Sequence, residues 1–198
     1  MPVHTLYCAA IRGVWAPACE PYPRVRASVG AIPIGQFVGP ERPLARPRAV
    51  SGVMNFSDLG LSPEVLRAVE EAGYSQPTPI QERAIPIVLQ GRDVMGCAQT
   101  GTGKTASFAL PMLDILASSR ARARMPRALI LEPTRELAAQ VAESFAEYGK
   151  YTNFQTALLI GGVSMDEQNK QLEQAPDILI ATPGRLLDHA DRGQVMLR

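Results

Sequence analysis

The sequence predicts an α/β fold in which a parallel sheet is covered by helices on both faces. Two observations lead to this prediction. Short apolar runs rich in β-branched residues alternate with longer segments whose apolar residues recur at helical spacing. In addition, a glycine-rich octapeptide, residues 98–105, stands between a strand-like run and a helix-like run. Strands separated by helices pair in parallel, and their right-handed crossovers place helices on both faces of the sheet.

Composition excludes several classes of protein. The 198 residues include 20 basic and 19 acidic side chains, so the overall charge does not indicate a nucleic-acid or membrane-surface protein. No apolar run reaches the roughly 20 residues that cross a bilayer. The cysteines Cys8, Cys19 and Cys97 lack metal-ligand spacing, and we expect Cys97 to lie in a buried strand. These features predict a soluble cytoplasmic protein in a reducing compartment, with no membrane partner.

Residues 1–53 are expected to form a disordered Pro/Arg-rich leader. They contain eight of the 17 prolines and six arginines but no lysine. We expect no helix or strand of useful length between these prolines. Besides an unstructured leader, three roles stay open. The first alternative is an organelle transit peptide, although serine is scarce. The second is a nucleic-acid-binding tail. The third is that translation naturally begins at Met54, so that the segment is not part of the native protein.

Two helices and a strand are predicted between this leader and the octapeptide. The first helix opens at residues 62–64, with a capping serine, a proline at the first helical position and an acid in the first turn, and it ends at Gly73. A loop extended by two prolines leads to a second helix over residues 81–90. A buried strand over residues 92–97 then enters the octapeptide.

The octapeptide, called the phosphate loop below, has the features of an anion site. At a strand-to-helix junction the first helical turn presents free N–H groups and the positive end of the helix dipole. Gly101 and Gly103 let the backbone curve around a phosphate, Lys104 is placed to reach the outer phosphates of a nucleoside triphosphate, and the Thr105 hydroxyl is placed to ligate Mg²⁺. The general phosphate-loop pattern has glycine at the position that Ala98 occupies here. The alternative to triphosphate binding is a glycine-rich start of a helix whose lysine has no ligand. The position of the octapeptide between a strand and a helix disfavours this alternative.

A regular alternation of elements is predicted after the phosphate loop. A helix over residues 106–116 leads to a polar connection, 118–126. Four arginines lie in or beside it and either contact RNA or, as we favour, belong to a solvated loop: Arg120, Arg122, Arg124 and Arg127. Strands over residues 128–132, 156–160 and 178–181 then alternate with helices over residues 136–148 and 165–174.

The carboxyl ends of these three strands are expected to meet at the edge that carries the phosphate loop. Small, hydroxylated and cationic residues follow the strands there, in three groups: Pro133, Thr134 and Arg135; Gly161 and Gly162; Thr182, Pro183, Gly184 and Arg185. Such groups suit a sugar-phosphate backbone, because phosphate contacts position a strand without reading its bases. Any one group alone is an ordinary turn. Three on one edge favour a nucleic-acid track.

These motifs resemble, in order, the first motifs of the DEAD-box RNA helicases. The matching segments are residues 98–105, 133–137, 161–162 and 182–185. Residues 73–81 resemble the Q motif of that family, with Tyr74 where phenylalanine is commoner, and the family's own phosphate loop begins with alanine. Residues 54–198 as a whole resemble a bacterial RhlE-like helicase. The resemblance implies a Q-motif region over residues 54–82 and a truncated RecA-like P-loop NTPase domain over residues 83–198.

The resemblance implies ATP, Mg²⁺ and RNA as ligands. Gln81 would bond to the adenine edge and Phe56 would stack on its ring, with Tyr74 in the same site. Lys104 and Thr105 would act in catalysis, and Thr105 would bind the metal. The phosphates would be held by Ala98, Gln99, Thr100, Gly101, Thr102, Gly103, Lys104 and Thr105. The RNA backbone would be lined by Pro133, Thr134, Arg135, Gly161, Gly162, Thr182, Pro183, Gly184 and Arg185.

One departure from the family divides the functional hypotheses. The sequence contains no Asp-Glu-Ala-Asp tetrapeptide, whose acidic groups would help to hold Mg²⁺ and orient the attacking water. We therefore expect the domain to be incomplete at its C-terminus and the second RecA-like domain to be missing. The chain is then either part of an ATP-dependent RNA helicase, inactive by itself, or an inactive ATP- and RNA-binding fragment. Another P-loop NTPase, such as a DNA helicase or a transporter ATPase, is disfavoured by Gln81.

Incompleteness has an expected structural consequence. Without its family neighbours, the strand over residues 92–97 would expose an unpaired apolar edge, and the fragment would be marginally folded. The RNA substrate and the oligomeric state do not follow from the sequence.

Overall fold

The sheet has four strands in the order β1-β2-β4-β3. These are β1 (Cys8–Ile11), β2 (Ala128–Leu131), β3 (Thr156–Leu159) and β4 (Ile178–Ala181) in a computed structural model that describes residues 8–11, 54–118 and 126–195. Strands β2, β3 and β4 are parallel, with Ala128 and Thr156 both opposite Ile178. The three strands predicted after the phosphate-loop helix are therefore confirmed, each to within one residue.

Strand β1 lies where the sequence predicted no strand. It runs antiparallel to β2, with Cys8 opposite Leu131 and Ile11 opposite Ala128. The unpaired edge of a buried strand offers a row of N–H and C=O groups, and a short apolar run between prolines can pair with it. The prediction of disorder is therefore wrong for these four residues. Every other position in residues 1–53, Cys19 included, lies outside the described residues.

Residues 92–97 do not form the predicted strand. They have no regular secondary structure, Met95 is 84% exposed, and Cys97 is exposed rather than buried. No strand pairs with this segment within the described residues. A strand is stable only when its backbone groups are hydrogen-bonded, so a segment without a neighbour stays solvated. This outcome agrees with the expectation that the segment lacks a hydrogen-bonding partner.

Six helices lie within the described part of the chain; the first five follow the predicted order, and the sixth, after β4, was not predicted as an element. They are α1 (Pro63–Glu71), α2 (Pro79–Leu89), α3 (Lys104–Ser118), α4 (Arg135–Tyr148), α5 (Met165–Glu173) and α6 (Pro183–Asp191), and a 3₁₀ turn, Phe56–Leu59, precedes them. None of the helices in the described ranges has both the length and the apolarity that spanning a bilayer requires.

The helices cover both faces of the sheet, as predicted. Strand β4 is buried at all four positions. Its residues Ile178 and Ile180 pack in the larger core cluster with apolar side chains of α3 and α4, whereas Leu179 and Ala181 pack with Leu186 of α6 in a smaller cluster. Alternate residues of one strand thus face different helix layers. The strand ends between these layers are held in place from both sides.

Arg127 differs from the prediction of a solvated loop. Its side chain is 14% exposed, and its Nη1 lies 3.2 Å from Oδ1 of Asp177. Its Nη2 donates to the Leu116 carbonyl at 2.5 Å, so the arginine connects the end of α3 to the start of β4. An arginine can be largely buried when its N–H donors are bonded to a carboxylate and a carbonyl. Arg120, Arg122 and Arg124 lie outside the described residues.

Candidate functional site

The phosphate loop has the backbone that its glycines predict. Gly101 and Gly103 have φ values of +80° and +79°, in the left-handed region that favours glycine. At Gly103 an added Cβ would also overlap the side-chain amide of Gln81. The loop then enters α3 at Lys104, so the N–H groups of the first turn lie at its end.

The side chain of Lys104 folds back onto the carbonyl groups of the phosphate loop. It is only 7% exposed, and its Nζ donates to the carbonyls of Ala98 at 2.7 Å and Gln99 at 2.6 Å. The Thr102 hydroxyl donates to the Gln99 carbonyl as well, at 2.7 Å. A buried ammonium needs acceptors, and the loop carbonyls provide them. An anion entering this loop would therefore compete with two carbonyls for the lysine.

Gln81 joins the start of α2 to the phosphate loop. It is 3% exposed; its Oε1 accepts from the Thr78 N–H at 2.9 Å, and its Nε2 donates to the Gly103 carbonyl at 3.2 Å. The Thr78 hydroxyl donates to the Thr102 carbonyl at 2.8 Å. The two predicted nucleotide segments are thus brought together. Both ends of the Gln81 amide are bonded within the protein, and its adenine contact stays a prediction.

The two aromatic residues assigned to adenine lie in different surroundings. The ring of Phe56 is 6% exposed and packs in the larger core cluster. Tyr74 is 45% exposed and meets Tyr148 edge-on, with ring centroids 6.2 Å apart. Burial of Phe56 leaves little of its ring for a base in this structure, so its stacking role also stays a prediction.

A groove lies at the carboxyl ends of the strands. This strand-end groove has a volume of about 430 Å³ and is lined by Pro133, Thr134, Arg135, Glu136, Gly161, Thr182, Gly184, Arg185 and Asp188. It brings together seven of the nine residues predicted to line RNA. The other two, Gly162 and Pro183, are chain neighbours of lining residues.

Two arginines and two helix starts give the groove positive character. Arg135 donates from Nη1 to the Gly161 carbonyl at 3.2 Å. Thr134 caps α4 by accepting from the Leu137 N–H at 3.3 Å, and α6 begins directly after Thr182. Helix N-termini and guanidinium groups both favour bound anions. The groove is therefore suited to a chain of phosphates.

Two acidic residues of the groove were not predicted. Hydrogen bonds from its own backbone N–H and from the Thr134 hydroxyl lower the pKa of Glu136, so its carboxylate is charged at neutral pH. Asp188 lies 3.9 Å from Nε of Arg185. The three-residue spacing of Arg185 and Asp188 on one helix was a usable signal for this pair. The two carboxylates balance the formal charges of Arg135 and Arg185, so the remaining positive character of the groove comes from the helix N-termini.

Glu132, directly after β2, is a buried acid that the sequence analysis also missed. It is 1% exposed, and neither carboxyl oxygen has a hydrogen-bond partner within the described residues. Burial raises the pKa of Glu132 to about 7. Its position two residues after the buried Ile130 places it on the same face of the sheet. That alternation was the signal that it would be buried.

No metal centre of the usual kind is found in the described ranges, where no three His, Cys, Asp or Glu side chains are grouped to hold an ion. Thr105, the predicted metal ligand, is half-buried in the first turn of α3.

Comparisons with known proteins place these observations in a family. The family model described as DEAD/DEAH box helicase matches residues 78–197. The chain is 50% identical over 135 residues to the DEAD-box ATP-dependent RNA helicase RhpA of Helicobacter pylori, covering 68% of this chain and 27% of the relative. It is 48% identical over 136 residues to the human protein named probable ATP-dependent RNA helicase DDX27, covering 69% of this chain and 18% of the relative. The chain thus spans about a quarter of the length of the curated relatives it matches, or less.

Solved structures agree with these matches. The crystal structure of Chaetomium thermophilum RNA helicase Prp28 bound to ADP aligns with a TM-score of 0.67 at 41% identity, over 72% of this chain and 35% of that one. A DEAD box protein from Methanococcus jannaschii aligns with a TM-score of 0.63 at 37% identity, over 73% of this chain and 39% of that one. The fold, the order of the motifs and the family model lead to one conclusion. The chain belongs to the DEAD/DEAH box helicase family.

Proposed function

We propose that this chain binds ATP at the phosphate loop and the backbone of RNA at the strand-end groove, and that it serves ATP-dependent unwinding of RNA in the cytoplasm. The observation that carries the proposal is the strand-end groove itself, where residues from three separate motifs converge. Relatives that match this chain are named ATP-dependent RNA helicases. The whole protein's activity is carried over from those names.

The phosphate loop fits the phosphates of a nucleotide. Its two left-handed glycines leave the backbone uncovered by Cβ atoms, and its lysine is already inside the loop. Phosphate oxygens would take the place of the Ala98 and Gln99 carbonyls as acceptors for Lys104. The Thr105 hydroxyl would be a ligand of Mg²⁺, which would supply charge neutralisation to the phosphates. The chain's own contribution is to hold and orient the nucleotide.

The strand-end groove fits the backbone of RNA better than its bases. Its donors are the guanidinium groups of Arg135 and Arg185, the hydroxyls of Thr134 and Thr182, and the N–H groups at the starts of α4 and α6. All of these donors suit phosphate oxygens, and backbone N–H groups and hydroxyls at helix starts are typical of contacts that position a strand without reading its bases. Binding at this groove is therefore expected to depend on salt and little on sequence.

A second candidate function is nucleotide and RNA binding without turnover. It is a candidate for these 198 residues taken by themselves, because phosphoryl transfer requires an acidic group that helps to hold Mg²⁺ and they contain no Asp-Glu-Ala-Asp tetrapeptide. Measuring ATP hydrolysis with and without RNA separates the two candidates. RNA-stimulated turnover would exclude the second.

The nucleotide part is tested by titrating the protein with a fluorescent ATP analogue and Mg²⁺. In the variant Lys104→Ala the phosphates lose a cation that would bond to charged phosphate oxygens more strongly than to the neutral carbonyls it now contacts, so we expect affinity to fall about tenfold. The matched control is Lys150→Ala, since Lys150 is 61% exposed and pairs with Glu71 on the surface. Equal ATP affinity of Lys104→Ala and the unmodified protein would contradict the proposal. Gln81→Ala should weaken binding of ATP more than binding of GTP.

The RNA part is tested by fluorescence anisotropy with a labelled single-stranded RNA. Arg135→Ala removes one phosphate contact and is expected to weaken binding about uniformly across RNA sequences and to flatten the salt dependence. Arg67→Ala is the control, because Arg67 is a 65% exposed arginine whose partner is Glu71 on α1. An unchanged affinity of Arg135→Ala at low salt would argue against RNA in this groove.

A further inference from the structure

Gln168 on α5 is the centre of a buried polar cluster next to the strand-end groove. It has no exposed surface, and its Nε2 donates to the Ile160 carbonyl at 2.8 Å, at the end of β3. Its Oε1 lies 3.3 Å from Nη1 of Arg185 and 3.0 Å from Nε2 of His189. His189 is fully buried too. One amide therefore joins a strand end, a groove arginine and a buried histidine.

The chemistry of these partners fixes the direction of the amide. A carbonyl accepts and a guanidinium donates, so the NH₂ group must face Ile160 and the oxygen must face Arg185. His189 must then donate from Nε2, which leaves Nδ1 without its proton. This Nδ1 is buried with no partner in the described part of the chain. A charged ring would bury an N–H without an acceptor, which is consistent with the pKa of His189 being lowered by burial and by the charges of Arg185 and Arg192.

The hydrogen bonds of Arg185 converge on one of its nitrogens, Nη1, while its Nε lies 3.9 Å from Asp188. Besides Gln168, its Nη1 contacts the Val163 carbonyl at 3.0 Å and the Met165 sulfur at 3.1 Å. The side chain is 14% exposed, yet it lines the strand-end groove. A guanidinium is planar and rigid, so contacts at one nitrogen set the direction of the other N–H groups.

The same strand end also holds the second groove arginine. Gln168 bonds to the Ile160 carbonyl, and Arg135 bonds to the next carbonyl along the chain, that of Gly161. The turn that follows β3 therefore lies between Arg135 and Arg185 and contacts both.

We propose that Gln168 is a positioning residue for nucleic-acid binding, which holds Arg185 in the orientation that receives a phosphate. The inference rests on the proposed binding of RNA at the strand-end groove. Its physical basis is preorganisation: a guanidinium fixed before binding loses less conformational entropy when it meets the ligand. Gln168 acts through Arg185, and nothing in the proposal requires it to touch RNA.

The test is a double-mutant cycle with labelled single-stranded RNA. Gln168→Met keeps the length of the side chain and removes the amide, and we expect RNA affinity to fall about three- to tenfold. The matched control is Gln171→Met, because Gln171 is on the same helix and accepts from the Leu158 N–H of the same strand at 3.0 Å, with no link to Arg185. Its affinity should stay within about twofold of the unmodified protein. Adding Gln168→Met to Arg185→Ala should cause no further loss.

The outcomes separate the inference from the function on which it rests. An unchanged affinity of Arg185→Ala would remove this arginine from RNA binding and refute that part of the proposed function. If Arg185→Ala weakens binding while Gln168→Met matches the Gln171→Met control, or if the two losses add, Gln168 does not act through Arg185 and the inference is overturned.

A measurement on the unmodified protein does not depend on whether the variants fold. The ¹⁵N chemical shifts of His189 report its tautomer, and assignment is simple because the sequence has two histidines, His4 and His189. We expect a protonated Nε2 and an unprotonated Nδ1 at pH 7.5. The opposite tautomer would place an acceptor against the Gln168 oxygen and would overturn the proposed arrangement.

Discussion

Replacing Glu132 with glutamine is expected to stabilise the protein more as the pH rises from 5 to 8. Glu132 is 1% exposed, and its carboxyl oxygens have no partner within the described residues. Its pKa is raised by burial from an ordinary 4.5 to about 7. The folded protein therefore keeps a proton that the unfolded chain releases above pH 4.5. The stability that this proton contributes is complete below pH 4.5 and is lost as the pH passes 7.

The size of this loss follows from the two pKa values of Glu132. One pKa unit corresponds to about 1.4 kcal/mol, so the difference between 4.5 and about 7 corresponds to about 3–4 kcal/mol of unfolding free energy. Glutamine has the same shape and does not titrate. Its buried amide costs the same at every pH, so that cost adds a constant offset to the comparison.

The assay is urea unfolding followed by circular dichroism at a series of pH values between 5 and 8. Subtracting the unmodified protein from Glu132→Gln cancels every other titrating group, His189 included. We expect the difference in unfolding free energy to rise by about 2–3 kcal/mol across the series, because part of the total is already lost below pH 5. The control is Glu136→Gln, whose carboxyl is exposed and has a lowered pKa, so its difference should be flat. A flat difference for Glu132→Gln would refute the reasoning.

Three further predictions concern single positions. Gly162→Ala should destabilise the protein by about 1–3 kcal/mol in thermal unfolding, because φ is +83° and the new Cβ would overlap Nη1 of Arg135; an unchanged Tm would contradict it. Arg127→Ala should cost about 3 kcal/mol or more in urea unfolding, since it leaves Asp177 half-buried without its 3.2 Å partner, and restoration by Arg127→Lys would be partial. Cys97 is exposed, so the folded protein should react there with a thiol reagent, and Cys97→Ser should remove one rapidly reacting thiol.

The central strands and the groove were predictable because their signals are local. The segment Ile178–Ala181 is apolar at every position, the pattern of a strand buried on both faces, and β4 is indeed buried throughout. The residues after β2, β3 and β4 converge because parallel strands end at one edge. Once the strands were identified, the grouping of Thr134, Gly161 and Thr182 followed from topology alone.

Other features depend on partners that a local pattern does not contain. Residues 92–97 have the composition of a strand, but a strand requires a neighbour, and none pairs with them in the described residues. Strand β1 formed for the converse reason, since β2 offered an edge to the apolar run Cys8–Ile11. Neither Gln168 nor His189 was predicted to be buried. Their burial results from the way α5 and α6 meet behind the groove.

The two proposed sites differ in how far they are prepared for a ligand. In the strand-end groove, Arg135 and Arg185 are held by carbonyls of one turn, so a phosphate can bind without breaking those bonds. In the phosphate loop, the bonds from Lys104 to two carbonyls must be exchanged for bonds to phosphate. Each bond from the charged Lys104 to a loop carbonyl is worth about 1.5–3 kcal/mol. Breaking these bonds to open the loop therefore subtracts from the free energy of nucleotide binding.

Opening of the phosphate loop would also affect the start of α2. Gln81 and Thr78 bond to the carbonyls of Gly103 and Thr102, so a rearranged loop must either move the start of α2 or release it. The variant Thr78→Val removes one of these links without touching the lysine. If the links resist opening, Thr78→Val should bind Mg²⁺ and the ATP analogue about two- to fivefold more tightly, since a net hydrogen bond is worth about 0.5–1.5 kcal/mol. Weaker binding in that titration would mean that the links instead hold the loop in its nucleotide-binding shape.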